Sequence, residues 1–222
     1  MKKLLAGILT IAIVVTILIT PGCIKDDLSA PVIILLGENP LKMDLNADWT
    51  TVDPGATASD DEDGDLTAKI VVTNTPNVDL AGTYEVLYSV TDAAGNVGTA
   101  KRTVNVNNAL MNMGGTYNVV DSLTSGSSSG SVYSYTDVIS ASATVNNRIL
   151  VTKFAGYVDG SVHFDLNGAN ITIPSQQVNC GNPAALRTFI GNGTITGAVM
   201  TINYTETVGS TGVTGIETYT KQ

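Results

Sequence analysis

Apolar positions run along this chain in two different ways. Leu4 to Thr20 is one unbroken apolar stretch, set between Met1-Lys2-Lys3 and Pro21-Gly22-Cys23. Everything after it is organised in short runs with a period of two, the spacing of a half-buried strand. Pro31 to Gly37 is a brief apolar run closed by glycine. Tyr84, Val86, Tyr88 and Val90 alternate with polar residues, and Asp92-Ala93-Ala94-Gly95-Asn96 then supplies turn chemistry. The next strand puts Ala100, Val104 and Val106 on one side and Lys101, Thr103 and Asn105 on the other, which completes a hairpin. With Ile70-Val71-Val72 and the region from Trp49 to Ala58, residues 31–107 hold about seven short strands, enough for a sandwich of two sheets.

A connector over 108–114 ends in Gly114-Gly115, and residues 115–222 form a second unit without useful helical periodicity. Strands are expected near 116–121, 132–138, 139–146, 148–154, 157–165, 169–173, 187–190, 193–206 (as two) and 213–219. Turns are expected at Asn146-Asn147, Asp159-Gly160, Asn167-Gly168 and Gly191-Asn192-Gly193, because Asn-Gly and Asp-Gly pairs supply the backbone that hairpins need. Ser125 to Ser131 reads as a flexible loop. The fold class is all-β: a sandwich, then a second antiparallel domain that is either a barrel or a sandwich.

The N-terminal stretch carries the address. A charged start, an apolar middle and a small residue before a cleavage point make a secretory signal over residues 1–22. A retained transmembrane helix is the alternative, but 17 residues is the lower edge of what crosses a bilayer, and one Lys and two Asp follow rather than a basic cluster. With Cys23 as the first mature residue, the segment resembles a bacterial lipoprotein signal, although Thr20 and Pro21 depart from its usual pattern. The resemblance implies acylation of Cys23 and a membrane attachment through lipid. Lys25-Asp26-Asp27, in the tether 23–30, resembles the surface-export signal of Bacteroidetes lipoproteins; read plainly, it is a solvated charged run.

Charge narrows the partners. The chain has 11 Lys+Arg and 20 Asp+Glu, and the signal takes two of those lysines and no acids with it. Such a balance argues against nucleic acid, whose phosphates call for Lys and Arg. Residues 29–108 hold 12 acids and 4 bases, whereas 115–222 hold 6 and 4, so an acidic module precedes a nearly neutral one. Cys180 is the only cysteine besides Cys23, which rules out a disulfide framework and suits a small buried apolar residue.

Four ordered motifs mark the first module: Pro31-Val32-Ile33 with Gly37, Asp53 to Asp60, Asp63-Gly64-Asp65-Leu66-Thr67, and Gly82-Thr83-Tyr84 through Asn96. Together they resemble the bacterial Ig-like domain often called DUF5011, which implies a spacer or adhesive β-sandwich and no catalysis. In the second module, Gly115-Thr116-Tyr117, Ile149-Leu150-Val151, Phe154, Ile173 to Gln177, Gly191 to Thr194 and Ile202-Asn203-Tyr204 resemble the lipocalin-like domains of small Bacteroidetes lipoproteins. That implies an up-and-down barrel, either packed throughout or holding a ligand.

Candidate chemistry is sparse. Asp61, Asp63 and Asp65 alternate like the opening of a calcium loop, but the pattern fails at Gly64 and at Val72, and a solvated turn competes. No cofactor is expected; calcium on those three residues is the alternative to the solvated turn. Ser161-Val162-His163-Phe164-Asp165 sets the single histidine between a Ser and an Asp. On one strand face these lie about 6.6–6.8 Å apart, too far for a relay, so no catalytic residue is assigned. Tyr133, Tyr135 and Tyr157 are the candidate ligand contacts, since tyrosines stack on sugar rings; packing within strands competes. The expected function is non-enzymatic: a lipid-anchored envelope protein whose Ig-like spacer presents a domain for a glycan, a small molecule or another envelope protein. A purely structural part of an outer-membrane complex and an unfamiliar enzyme are the alternatives.

Overall fold

The structure is a computed structural model that describes residues 26–222; Cys23 and Lys25 lie outside the described residues. In the first module β1 (Val32–Leu35), β3 (Ala56–Asp60) and β4 (Gly64–Asp65) form one sheet in that order. The facing sheet runs β2-β7-β6-β5, with β2 (Leu41–Asp44), β5 (Val71–Thr73), β6 (Gly82–Thr91) and β7 (Val97–Asn107). β2 joins β7 in parallel and the other pairs are antiparallel. The period-two residues Val86, Tyr88, Val104 and Val106 meet Leu41, Met43 and Leu45 in the core. Trp49, on the single-turn helix α1 (Trp49–Val52) capped by Asp48, packs at its edge.

One inward position on β7 is not apolar. Arg102 lies fully buried between Ala100 and Val104. Its guanidinium donates to the carbonyls of Glu38, Leu36 and Gly55 at 2.6, 2.7 and 2.8 Å and to the Tyr88 hydroxyl at 3.2 Å. The Asp53 carboxylate is 3.5 Å away and also accepts from Tyr88. A buried charge is tolerable when its donors are answered in this way, and here it ties both ends of the 36–55 segment to the sheet.

The second module is a closed barrel of eight antiparallel strands. They are β8 (Gly115–Leu123), β9 (Val132–Ala141), β10 (Arg148–Val151), β11 (Val162–Asn167), β12 (Asn170–Cys180), β13 (Ala185–Thr196), β14 (Val199–Val208) and β15 (Thr211–Lys221). Each pairs with its neighbour in sequence, and β15 closes on β8 through Tyr219↔Val119 and its flanking pairs. Closure leaves no edge strand, and it answers the choice between barrel and sandwich.

Three local expectations fail for tertiary reasons. Residues 142–147 are a loop, not the end of a strand. The stretch before Val162 is also loop, where a 3-10 turn (Phe154–Gly156) drives Phe154 into the core. Gly191-Asn192-Gly193 lies inside β13. A Cβ on Gly191 would sit 2.5 Å from the Asn203 carbonyl, and one on Gly193 2.3 Å from that of Thr201. These glycines permit close approach of the next strand, the other meaning of glycine in a strand. The actual reversals are the two-residue turns Gly197-Ala198 and Gly209-Ser210, both opened by a glycine with positive φ.

The connector between the modules is pinned. Asn108 is buried and donates to the carbonyls of Ser142, Val145 and Arg148 at 2.9–3.0 Å, while its side-chain oxygen accepts from Leu110 and Asn147. Asn46 and Ala81 of the sandwich also bond the 143–146 loop. The sandwich therefore sits against the 142–147 end of the barrel. Because the strands alternate in direction, loops 124–131, 152–161, 181–184 and 209–210 gather at the opposite end.

Candidate functional site

The inward stripes of the barrel change character along its axis. Toward the sandwich they are apolar, with Val119, Ile139, Ile149, Phe164, Ile171 and Ile202 among the buried set. Phe154 closes this core from above, with its ring 5.1–5.5 Å from those of Phe164, Phe189 and Tyr204. Each such edge-on pair contributes about 0.5–1.5 kcal/mol beyond area burial. Past Phe154 the stripes carry carboxylates, Asp121 on β8, Glu206 on β14 and Glu217 on β15; on β9 the buried Asp137 is followed toward that end by Tyr135 and Tyr133. Above them opens a cavity of about 760 Å³ at the end distant from the sandwich.

Glu206 and Glu217 are fully engaged, whereas Asp137 uses one oxygen and leaves its buried Oδ2 without a partner. Asp137 accepts at one oxygen from the N–H groups of Val138, Thr152 and Lys153 and from the Thr152 hydroxyl, which anchors the start of the 152–161 loop. Glu217 accepts from the Tyr135 and Tyr219 hydroxyls and from the N–H of Ala155, which holds the loop in the barrel mouth. Ala155 has φ 53°, a left-handed backbone maintained at the cavity floor. Glu206 pairs with Arg187 and accepts from the Tyr157 hydroxyl at 3.1 Å. Arg187 in turn lies 4.2 Å over the Tyr157 ring and donates to the Cys180 carbonyl.

Asp121 is different. Its two oxygens share one donor, the Tyr204 hydroxyl, 3.0 Å from each. Tyr204 reaches it because the facing position on β15 is Gly215, where a Cβ would lie 2.5 Å from the tyrosine ring. Across the strands Asp121 stands directly opposite Glu217 on β15 and Tyr133 on β9. Burial is the main cause that raises the pKa of Asp121, with Glu206 adding to it and the Tyr204 bond opposing. Burial likewise pushes Glu217 up to about 8, with a smaller contribution from Asp121. Like charges facing each other across a sheet are unfavourable, so Glu217 keeps its proton at neutral pH. Burial beside Glu206 also pushes Tyr157 up to about 12, which keeps its hydroxyl a donor.

Tyr133, Tyr135 and Tyr157 all line this one cavity: Tyr133 at the rim, half exposed, the other two in the wall with their hydroxyls committed to Glu217 and Glu206. Tyr117, Tyr204 and Tyr219 belong to the buried set. Asp121, Glu206, Glu217 and Arg187 are not among the residues that the sequence leads one to expect at a ligand site. A signal existed for the acids: each has the parity of an apolar stripe (Val119 and Asp121, Tyr204 and Glu206, Tyr219 and Glu217), so alternation alone points it inward.

Elsewhere, Asp61, Asp63 and Asp65 do not converge. Asp63 accepts from the N–H of Ala93, Asp65 from that of Thr67, and Asp61 from the Ser29 hydroxyl. Among the described residues the carboxylates that do converge are Asp27, Asp60 and Asp92, with oxygens within 4.8 Å of one another. Asp26 is exposed, and Asp27 is docked rather than free, its carbonyl accepting from the Asn96 amide. His163 and Asp165 are half-buried on the outer face of β11, where Asp165 pairs with Arg148 and burial lowers the pKa of His163. The Cys180 thiol is buried, and desolvation raises its pKa.

Residues 33–106 match the family model of the bacterial surface protein Ig-like domain. No curated protein matches the sequence. Among solved structures, a lipoprotein of Bacteroides thetaiotaomicron aligns over 86% of this chain and 100% of its own, at 19% identity and a TM-score of 0.37. CBM51-2 of Clostridium perfringens ZmpB, solved in complex with GlcNAc and INT domains, aligns over 86% and 44% at 17% identity and a TM-score of 0.28. Residues 33–106 thus carry a bacterial surface protein Ig-like domain, and behind it stands an eight-stranded barrel with a cavity at its far end.

Proposed function

We propose that this is a lipid-anchored cell-surface protein whose Ig-like module holds the barrel away from the membrane and whose barrel cavity binds a small molecule without transforming it. The observation that carries the reading is the cavity itself. Its volume of about 760 Å³ falls in the ~300–1,000 Å³ range of small-molecule sites, and its walls combine aromatic rings with a few polar groups. The anchor rests on the signal-like residues 1–22 and Cys23, and outward display on Lys25-Asp26-Asp27 and on the surface family matched by residues 33–106. A binding role without chemistry is supported by the way Glu206 and Glu217 are consumed in holding Arg187 and the loop, and by His163 lying on the outer face.

A thermal-shift screen tests the site, using sugars, amines, nucleosides and fatty acids against the mature protein and Tyr157→Ala. Compounds that raise the melting temperature of the wild type only support the cavity as the site. A panel silent on both proteins rejects it and returns the structural-component alternative. Protease shaving of intact cells tests display, and protection of the protein refutes it.

A further inference from the structure

Resting on that reading of the cavity, we propose that its ligand is an organic cation: a protonated amine on a compact apolar or aryl body, with its nitrogen seated on Asp121. The first ground is the charge inside the barrel. Asp121, Glu206 and Arg187 line the cavity, and Arg187 is spent on Glu206, the Cys180 carbonyl and the Tyr157 ring. A carboxylate ligand would therefore meet no uncommitted cation among the lining residues, while Asp121 would repel it.

The second ground is hydrogen-bonding capacity. An ionised carboxylate offers about four acceptor sites, and Asp121 receives one hydrogen, from Tyr204. Tyr204 cannot turn elsewhere without leaving the slot that Gly215 provides. The unused acceptors belong to a residue that lines the cavity, where an ammonium supplies two or three donors and a compensating charge together. A neutral hydroxyl supplies a donor but no charge. The third ground is the ring set. Tyr135 and Tyr157 keep their hydroxyls on Glu217 and Glu206 and so offer the cavity ring surface, and Tyr133 adjoins Asp121 across the β8–β9 pairing. Tyrosine faces attract cations as well as apolar bodies.

The test is calorimetry on the mature protein with three probes of one shape, phenethylamine, 2-phenylethanol and phenylacetate, at pH 7.5. Wild type is expected to bind the amine at least tenfold tighter than the alcohol and to bind the acid least. Asp121→Asn removes the charge at constant shape and should abolish the preference for the amine while leaving the alcohol's affinity in place. Tyr204→Phe keeps the charge and should keep the preference, which supplies a second arm if the asparagine variant does not fold. Equal or reversed ranking in wild type overturns the inference, as does an amine preference that survives in Asp121→Asn. Alcohol or sugar binding that Tyr157→Ala abolishes, with no gain for the amine, overturns the cation and leaves the cavity as a site. Silence of every probe overturns both.

Discussion

Glu217 sets a stability profile that runs against the habit of acidic proteins. Its carboxyl is wholly buried, opposite Asp121, and its pKa is lifted from an ordinary 4.5 to about 8. Below about pH 4.5 both the folded and the unfolded chain hold this proton. Between there and pH 8 the unfolded chain releases it and the native barrel does not. Native stability therefore falls as pH rises, at up to about 1.4 kcal/mol per pH unit and on the order of 5 kcal/mol over the whole interval. Glu217→Gln keeps an oxygen for Tyr135 and Ala155 and cannot ionise. It is expected to be about as stable as wild type at pH 5 and more stable by several kcal/mol at pH 8. The assay is urea unfolding at half-unit steps from pH 5 to 8.5. Trp49 lies in the sandwich, so the barrel is followed by near-ultraviolet circular dichroism, since six of the eight tyrosines belong to it. A difference between variant and wild type that stays constant with pH, or that shrinks as pH rises, refutes a neutral Glu217.

Arg102→Met removes one partner of a buried set and strands Asp53 and three carbonyls; it should cost about 3–5 kcal/mol, read as loss of the Trp49 transition at lower urea with the barrel transition unmoved. Gly215→Ala pushes a methyl into the Tyr204 ring and should cost about 1–3 kcal/mol through overpacking, with loss of binding to the cavity; an unchanged melting curve would show that the slot is not tight. Melting in calcium against chelator decides the cation expectation. An ion held by Asp27, Asp60 and Asp92 raises the melting temperature of wild type but not of Asp60→Asn, and identical curves dispose of it there and at Asp61, Asp63 and Asp65 alike.

Much of this protein was legible in its sequence because period-two alternation is a local property. β6, β7, β8 and β9 carry it plainly, and it yields two all-β modules joined near residue 110. Tyr133, Tyr135 and Tyr157 are candidates by residue type alone, and all three line one cavity although they lie on two separate segments. The places where local reading failed are those where a neighbour strand decides. Gly191 and Gly193 look like a turn until Asn203 and Thr201 come within a Cβ's reach. Arg102 looks like a surface residue until Leu36, Glu38 and Gly55 arrive from a loop far back in the chain.

The sequence by itself determined the element type and the division into two all-β modules, since each depends on residues close together along the chain. Charge is where the tertiary structure alone decided. Counted along the sequence, residues 115–222 are almost neutral. Closing eight strands into a barrel turns four of the six acids inward and leaves Arg187 as the one cation among the residues that line the cavity, with Arg148 outside. A composition cannot say which side of a closed sheet a carboxylate faces; register does, and register is set only when β15 finds β8.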